Sequence, residues 1–248
     1  MSFNTYVINL KKDIKKWTKI QKNLKNVNIT PIRFDAIDGN NIPEKYKIYL
    51  SMFCQGLCPN SVKGCSLSHL LVSKQFLDTD KKNNYCLILE DDAIPIVNNL
   101  KEEINKLVTL YDNWDIIRLY GMGYCPNIQN GPLQKVCSGS NVAYLLSKNG
   151  ARKLQNLKIN WYYDIQLNLI NTINLYIHKP FLFRTYYSES SNTTDNINWG
   201  ILDQKKLGNV PISYWLKVKL LKIPYIEYNI NVIMLFIILF LMQYIIFY

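Results

Sequence analysis

Glu90, Asp91 and Asp92 are consecutive acids that end the apolar run Tyr85-Cys86-Leu87-Ile88-Leu89, and Ala93-Ile94-Pro95 follows them directly. Adjacent anions repel one another unless solvent or a cation compensates. Along extended backbone, Glu90 and Asp92 point to one side and Asp91 to the other. Oxygen ligands at that spacing suit a hard divalent cation such as Mg2+ or Mn2+, completed by the phosphates of a substrate. A solvated acidic turn after a strand is the other reading of the same residues.

Two further groups could do chemistry. Asp164 follows Trp161, Tyr162 and Tyr163 near an expected helix start, where an aspartate either caps the helix or serves as a general base. Cys54, Cys58, Cys65 and His69 offer four possible zinc ligands, although their spacing is not that of a common structural knuckle. Cys65 and His69 are four residues apart and share a helix face. His69 is either a buried, hydrogen-bonded histidine or a phosphate or sugar contact. A helix start beside it would add backbone donors for an anion.

The elements that must position these groups follow from periodicity. An apolar run of this length, bounded by polar residues, reads as a buried strand with helices on both faces. Its carboxyl end is where open α/β sheets place ligands. Residues 5–10 read as a first strand, with Ile14, Trp17, Ile20 and Leu24 at helical spacing after it. A second strand from Ile29 to Phe34 completes a β-α-β opening, which predicts parallel pairing through a right-handed crossover. Residues 40–63 read as a long irregular loop, and a helix is expected from Gly64 to about Leu77. An amphipathic helix over 98–110 and a strand over 114–121 come next. Residues 141–146 form a strand, and Ser147 caps the helix after it. A helix is expected from 160 to 170, then strand and turn from Ile173 to Phe183.

Composition narrows the function. The 248 residues can bury a core, and 48% hydrophobic with 19% charged residues describes a globular protein, with room for a membrane segment. The net charge of +11 is spread over the chain as scattered lysines, with no long basic block and no nucleic-acid motif. It suits an anionic substrate or a negatively charged membrane face, and no nucleic-acid partner is expected. Met1-Ser2-Phe3-Asn4 leads into a strand without a signal peptide, so reduced thiols facing the cytosol are expected. Cys86 lies inside the central strand as a small hydrophobe.

Six stretches in order resemble glycosyltransferase family 25, the family of lipopolysaccharide-modifying transferases and procollagen galactosyltransferases. They are Tyr6-Val7-Ile8-Asn9-Leu10, Phe34-Asp35-Ala36-Ile37-Asp38-Gly39, Gly64-Cys65-Ser66-Leu67-Ser68-His69, Ile88-Leu89-Glu90-Asp91-Asp92, Trp114-Asp115-Ile116-Ile117 and residues 143–151. The resemblance covers residues 4–195. It implies a GT-A-like, Rossmann-type α/β fold with a mostly parallel sheet flanked by helices. It also implies a UDP-linked nucleotide-sugar donor, a divalent metal (Mn2+ or Mg2+) and inversion at the anomeric carbon. The acid triplet matches the family's, with Asp92 and Glu90 on the metal and Asp91 toward the nucleotide ribose. Asn9, Leu10, Asp38, Gly39, Ser68 and His69 are carried over as donor-binding positions, and Asp164 as the base that deprotonates the acceptor hydroxyl. Lys11, Lys12 and Lys15 stand where the family usually has arginines. His178 or Ser188 could supply a third metal ligand, a structural role being the other reading of His178.

The chain is expected to divide into a catalytic domain over 1–205, a basic linker over 206–226 and a hydrophobic segment over 227–248. From Ile230 to Tyr248 almost every residue is apolar, enough for a helix of about 28 Å, and Lys217, Lys219 and Lys222 precede it. This predicts a carboxyl-terminal, single-pass membrane anchor with the catalytic domain on the cytoplasmic side. A buried or interfacial helix is the alternative. The functional expectation is transfer of a hexose such as galactose to a hydroxyl of a glycan or protein. The competing expectation is a catalytically inactive relative that binds glycan or scaffolds a membrane complex. A metal-dependent phosphotransferase or nuclease is disfavoured because no Gly-rich phosphate loop or second acidic cluster is present.

Overall fold

A computed structural model describes residues 2–121, 133–135, 140–185, 219–223 and 228–231. Its centre is a seven-stranded sheet in the order β2-β1-β3-β7-β5-β8-β6. The strands are β1 (Asn4–Asn9), β2 (Pro31–Asp35), β3 (Tyr85–Glu90), β5 (Ile116–Arg118), β6 (Leu133–Lys135), β7 (Ala143–Ser147) and β8 (Leu175–His178). β1 pairs in parallel with both β2 and β3, and β5 pairs in parallel with β8. β7 runs against β3 and β5, and β6 runs against β8. Five strands therefore share one direction and two oppose it, so the sheet is mixed, with parallel strands in the majority. β4 (Ala93–Pro95) and β9 (Phe183–Thr185) form a separate antiparallel pair.

Side-chain alternation along the strands builds two cores. Cys86 and Ile88 of β3 join Tyr6, Ile8, Tyr144 and Leu146 on one face. Leu87 and Leu89 join Val7, Ala143 and Leu145 on the other. Helices α4 (Asn60–Thr79), α6 (Lys148–Lys153) and α7 (Tyr163–Asn168) cover the first face, and α1 (Ile14–Lys25) and α5 (Leu100–Leu110) cover the second. Each large aliphatic side chain of β3 removed from water contributes about 1.5–3 kcal/mol, which anchors this strand at the centre. β1 leads outward to β2, whereas β3 lies on its other side. The crevice between the carboxyl ends of β1 and β3 is thus a topological switch point.

The loop expected over 40–63 instead holds α2 (Glu44–Lys47), α3 (Met52–Leu57) and the first turn of α4. α4 starts at Asn60, four residues before the expected Gly64, so His69 lies mid-helix and not beside an exposed helix start. The opening polar residues hid this turn because α4 is buried nearly all round, including Lys63, Ser66, Ser68 and Ser73, and shows no clean polar stripe. Ser68 Oγ donates to Gly64 O at 2.6 Å and accepts from Ile37 N at 2.8 Å, which pins the loop after β2 to the helix. Ser147 caps α6 as its sequence predicts, accepting from Gly150 N at 2.9 Å.

The expected carboxyl-terminal helix has no described counterpart. Tyr228–Asn231 forms strand β11, antiparallel to β10 (Lys219–Ile223), and residues 232–248 lie outside the described residues. Among the described residues no helix is long and apolar enough to cross a membrane.

Gly39 and Gly64 set how closely the loop after β2 meets α4. A Cβ on Gly39 would fall 1.7 Å from Asn60 O, and one on Gly64 would fall 2.5 Å from Ile37 O. Both contacts are backbone atoms that cannot swing aside. Gly39→Ala should therefore destabilise the protein by about 1–3 kcal/mol in urea unfolding, as overpacking does. A change within experimental error would show that the loop shifts freely and does not position α4.

Candidate active site

Asn9, Glu90 and Arg118 end β1, β3 and β5, so the carboxyl edge of the sheet gathers polar groups in one line. The three acids at the end of β3 reach different partners, with Asp91 parting from Glu90 as the alternation predicts. Glu90 reaches toward α4, where its Oε1 lies 3.1 Å from His69 Nε2. Asp91 turns to the opposite face, accepting from Asn9 Nδ2 at 2.7 Å with Lys16 Nζ at 3.8 Å. Asp92 accepts from Thr185 Oγ1 of β9 at 2.7 Å through Oδ2, while its Oδ1 is buried without a hydrogen-bond partner.

Burial first, then the neighbouring Glu90 charge, pushes the Asp92 carboxyl up to about 7. Burial also raises Asp91, with Lys16 and Asn9 opposing. Two like charges 4 Å apart repel by about 4 kcal/mol at an effective dielectric of 20, and a proton on Asp92 is one way to relieve such a cluster.

His69 is 1% exposed and its ring is held on three sides. Nε2 meets Glu90, Nδ1 lies 3.1 Å from Tyr144 Oη, and Tyr163 stacks on the ring at 5.5 Å and 8°. Both ring nitrogens have side-chain partners, which is the buried, hydrogen-bonded reading of this histidine. Cys65 Sγ, one turn earlier on α4, completes a group with His69 and Glu90 whose ligand atoms all lie within 4.8 Å of one another. The four-ligand zinc set suggested by sequence does not assemble as a unit. Cys58 Sγ instead contacts Asn160 O at 3.5 Å, and Cys54 is buried on α3.

Asp164 lies in the first turn of α7 but is not its cap, a position held by Tyr162. Its Oδ1 accepts from Ile165 N at 2.9 Å. Burial raises its carboxyl, the Arg118 guanidinium pulls it down, and the charge of Glu90 pushes in the same direction as burial. Arg118 is fully buried and donates to Asn141 Oδ1 at 3.2 Å, Asn168 Oδ1 at 2.9 Å and the backbone oxygen of Asp164 at 2.8 Å. Burial brings its guanidinium down to about 10, still charged at neutral pH.

The other sequence-predicted positions divide by role. Asn9 is 1% exposed, and its amide links Asp91, Asp13 O and Arg33. It is a positioning residue for Asp91. Arg33 from β2 also donates to Leu10 O and Lys11 O, so a guanidinium does serve the loop after β1, reaching it from a neighbouring strand and not from within the loop. Asp38 pairs with Lys12 at 2.8 Å and accepts from Asn40 N at 3.0 Å, and these contacts hold its carboxyl below the usual range. Gly39 and Ser68 pack the loop after β2 against α4. His178 feels the charge of Glu103 on α5, and its Nδ1 is buried without a partner. Ser188 lies outside the described residues.

Sequence reasoning missed Thr185, Tyr144 and Arg118. Arg118 carried a signal, a lone charge inside the apolar run Ile116-Ile117-Arg118-Leu119-Tyr120. Tyr144 and Thr185 carried none, because ordinary strand residues acquire their roles only from cross-strand neighbours.

With this geometry in place, comparison with known proteins identifies the class. Residues 2–169 match the family described as Glycosyltransferase family 25 (LPS biosynthesis protein). The protein is a glycosyltransferase. It belongs to family 25. A comparison with curated proteins found no match. Among solved structures, the chain is similar to a crystal structure of a glycosyltransferase involved in the glycosylation of the major capsid of PBCV-1. The identity is 10% and the TM-score 0.44, over 77% of this chain and 95% of that one.

The raised Asp92 carboxyl makes a pH prediction. Between its ordinary value of 3.8 and about 7, the folded state holds a proton that the unfolded chain has released. Stability of the cation-free protein should therefore fall as pH rises through that window. Asp92→Asn, which keeps an acceptor for Thr185, should flatten the fall in a series of thermal melts. Parallel curves for the two proteins would contradict the assignment.

Proposed function

We propose that this glycosyltransferase is metal-dependent and inverting, with a GT-A-like arrangement, and moves a hexose such as galactose from a UDP-linked donor to a hydroxyl of a glycan or protein. The observation that carries this reading is the buried, partnerless Oδ1 of Asp92 beside Glu90 at the carboxyl end of β3. An all-oxygen set of this kind fits a hard divalent cation, Mn2+ or Mg2+. Asp92 and Glu90 each keep an oxygen outside the hydrogen bonds described above and would hold the ion. Asp91 already has an amide and an ammonium on its carboxylate, which suits it to positioning or to a ribose hydroxyl. When bound, the cation stabilises the negative charge that builds on the departing diphosphate.

The remaining roles belong to side chains of the chain itself. Asp164 takes the proton of the attacking acceptor hydroxyl at Oδ2, since Oδ1 is tied to the Ile165 amide. The raised carboxyl brings its basicity closer to that task, while Arg118 limits the rise and anchors the backbone of the same residue. Trp161 and Tyr162, just before Asp164, supply aromatic faces on which a sugar ring could stack.

Two substitutions test the assignment in one transfer assay with Mn2+. Asp92→Ala should lower turnover about 10²–10³-fold with the fold intact by circular dichroism. Asp164→Asn should lower kcat about 10²–10⁴-fold and leave the KM for donor nearly unchanged. Unaltered transfer by the first would sink metal dependence at this site. A mainly KM-driven loss in the second would remove Asp164 as base.

The membrane reading is part of the same proposal. Residues 232–248 are an apolar stretch following the basic positions Lys217, Lys219 and Lys222. Seventeen residues make a helix of about 26 Å, at the short end of what spans a bilayer. A single-pass anchor there would hold the catalytic domain at the cytoplasmic face. Truncation after Asn231 should move the protein from the membrane pellet to the supernatant, and an unchanged distribution would refute the anchor.

A further inference from the structure

Cys65, His69 and Glu90 present a donor set of a different chemical character from the all-oxygen site above. A thiol and an imidazole one helical turn apart on α4 face a carboxylate from the end of β3, with every pair of ligand atoms within 4.8 Å. His69 Nε2 and Glu90 Oε1 lie 3.1 Å apart. Two ligands each about 2.0–2.1 Å from one tetrahedral zinc ion are themselves about 3.3 Å apart, so this pair is already spaced for a shared ion. The thiol needs to close by only about an ångström to reach the roughly 3.6 Å expected between sulfur and nitrogen on zinc.

The surroundings prepare the imidazole. Nδ1 lies 3.1 Å from Tyr144 Oη, and the ring is stacked on Tyr163, so one nitrogen is oriented by a partner while the other faces the carboxylate. That is the outer-shell arrangement that fixes the tautomer of metal-binding histidines. Cys65 and Glu90 are both partly exposed, so the group is not sealed from solvent.

We propose that Cys65, His69 and Glu90 form a thiolate-imidazole-carboxylate site for a borderline-soft divalent ion of the zinc class, and that filling it puts a second positive charge on the Glu90 carboxylate and so weakens its hold on the hard cation. Thiolate and imidazole favour zinc over magnesium and manganese. Ion uptake releases the Cys65 thiol proton to solvent, and His69 binds as the neutral ring. Because both sites draw on Glu90, zinc opposes the Mn2+-supported reaction. This last clause rests on the function proposed above, whereas ion binding does not.

Cobalt(II) titrated into the full-length protein tests the two parts separately. The wild type should develop a near-ultraviolet thiolate-to-cobalt charge-transfer band and the visible absorption of a four-coordinate ion, displaced by Zn2+. Cys65→Ser should lose the charge-transfer band, and Tyr144→Phe should keep it with about 10–100-fold weaker affinity. A Cys54→Ser, Cys58→Ser double variant should keep it unchanged. If that variant does not fold, Cys65→Ser still discriminates, because it retains every other thiol. No band in the wild type, or the same band in Cys65→Ser, overturns the site. In the transfer assay, Zn2+ should inhibit the wild type at concentrations at least about tenfold lower than Cys65→Ser. Equal inhibition of both overturns the coupling through Glu90. A correct cobalt spectrum with no Mn2+-dependent turnover would instead reject the metal-dependent transferase and leave this site standing.

Discussion

Three carboxylates in succession at the end of a buried strand must be kept apart and compensated, and much of the carboxyl edge of the sheet serves that need. Glu90 goes to His69 on one face, Asp91 to Asn9 and Lys16 on the other, and Asp92 to Thr185 across the separate β4-β9 pair. The remaining strain falls on Asp92, the only one of the three with a buried oxygen left without a partner among the described residues. A cluster held this way is unfavourable for a fold alone. It suits the cation and diphosphate binding proposed for this site.

The scaffold makes this arrangement rigid from both sides. Two apolar cores clamp β3, so its last residue cannot drift relative to β1 or β7. α4 approaches closely because glycine and serine line its contacts with the loop after β2, which sets the height of Cys65 and His69 over Glu90. On the far side of the crevice, Arg118 joins β5, the segment before β7 and α7 through three acceptors, of which Asn141 is buried and the other two part-buried. Leaving the buried Asn141 acceptor unpaired would cost about 1–3 kcal/mol, and the bond to the Asp164 backbone oxygen ties α7 to β5.

The proposed hard-cation set and the proposed thiolate-imidazole set would share one carboxylate, which would couple the two. Under that proposal Glu90 would serve an oxygen set with Asp92 and a mixed set with Cys65 and His69, and the softness of the ion would decide which set fills, since both converge on the end of β3.

Much of this was legible from local pattern. The apolar run 85–89 followed by acids, the β-α-β opening and the Ser147 cap are short-range features, and periodicity or a single side chain reveals each of them. The split of Asp91 from Glu90 followed from strand alternation alone. The first turn of α4 was hidden because a helix buried all round shows no amphipathic signal. Strands β4, β6 and β9 have three residues each, too few to carry a period, whereas β5 of the same length sits in a longer apolar stretch that gives it away. The partners of the site residues were invisible for a different reason, their distance along the chain. Thr185 lies 93 residues from Asp92, Tyr144 lies 75 from His69, and Arg118 lies 46 from Asp164. The order of residues along the chain determined which groups could ionise, donate or ligate, and which strand would carry them. Only the tertiary structure decided that Cys65 meets Glu90 rather than Cys54 and Cys58, and that Asp92 keeps a buried oxygen unpaired, because those distances are set by how α4 and β9 pack against the edge of the sheet.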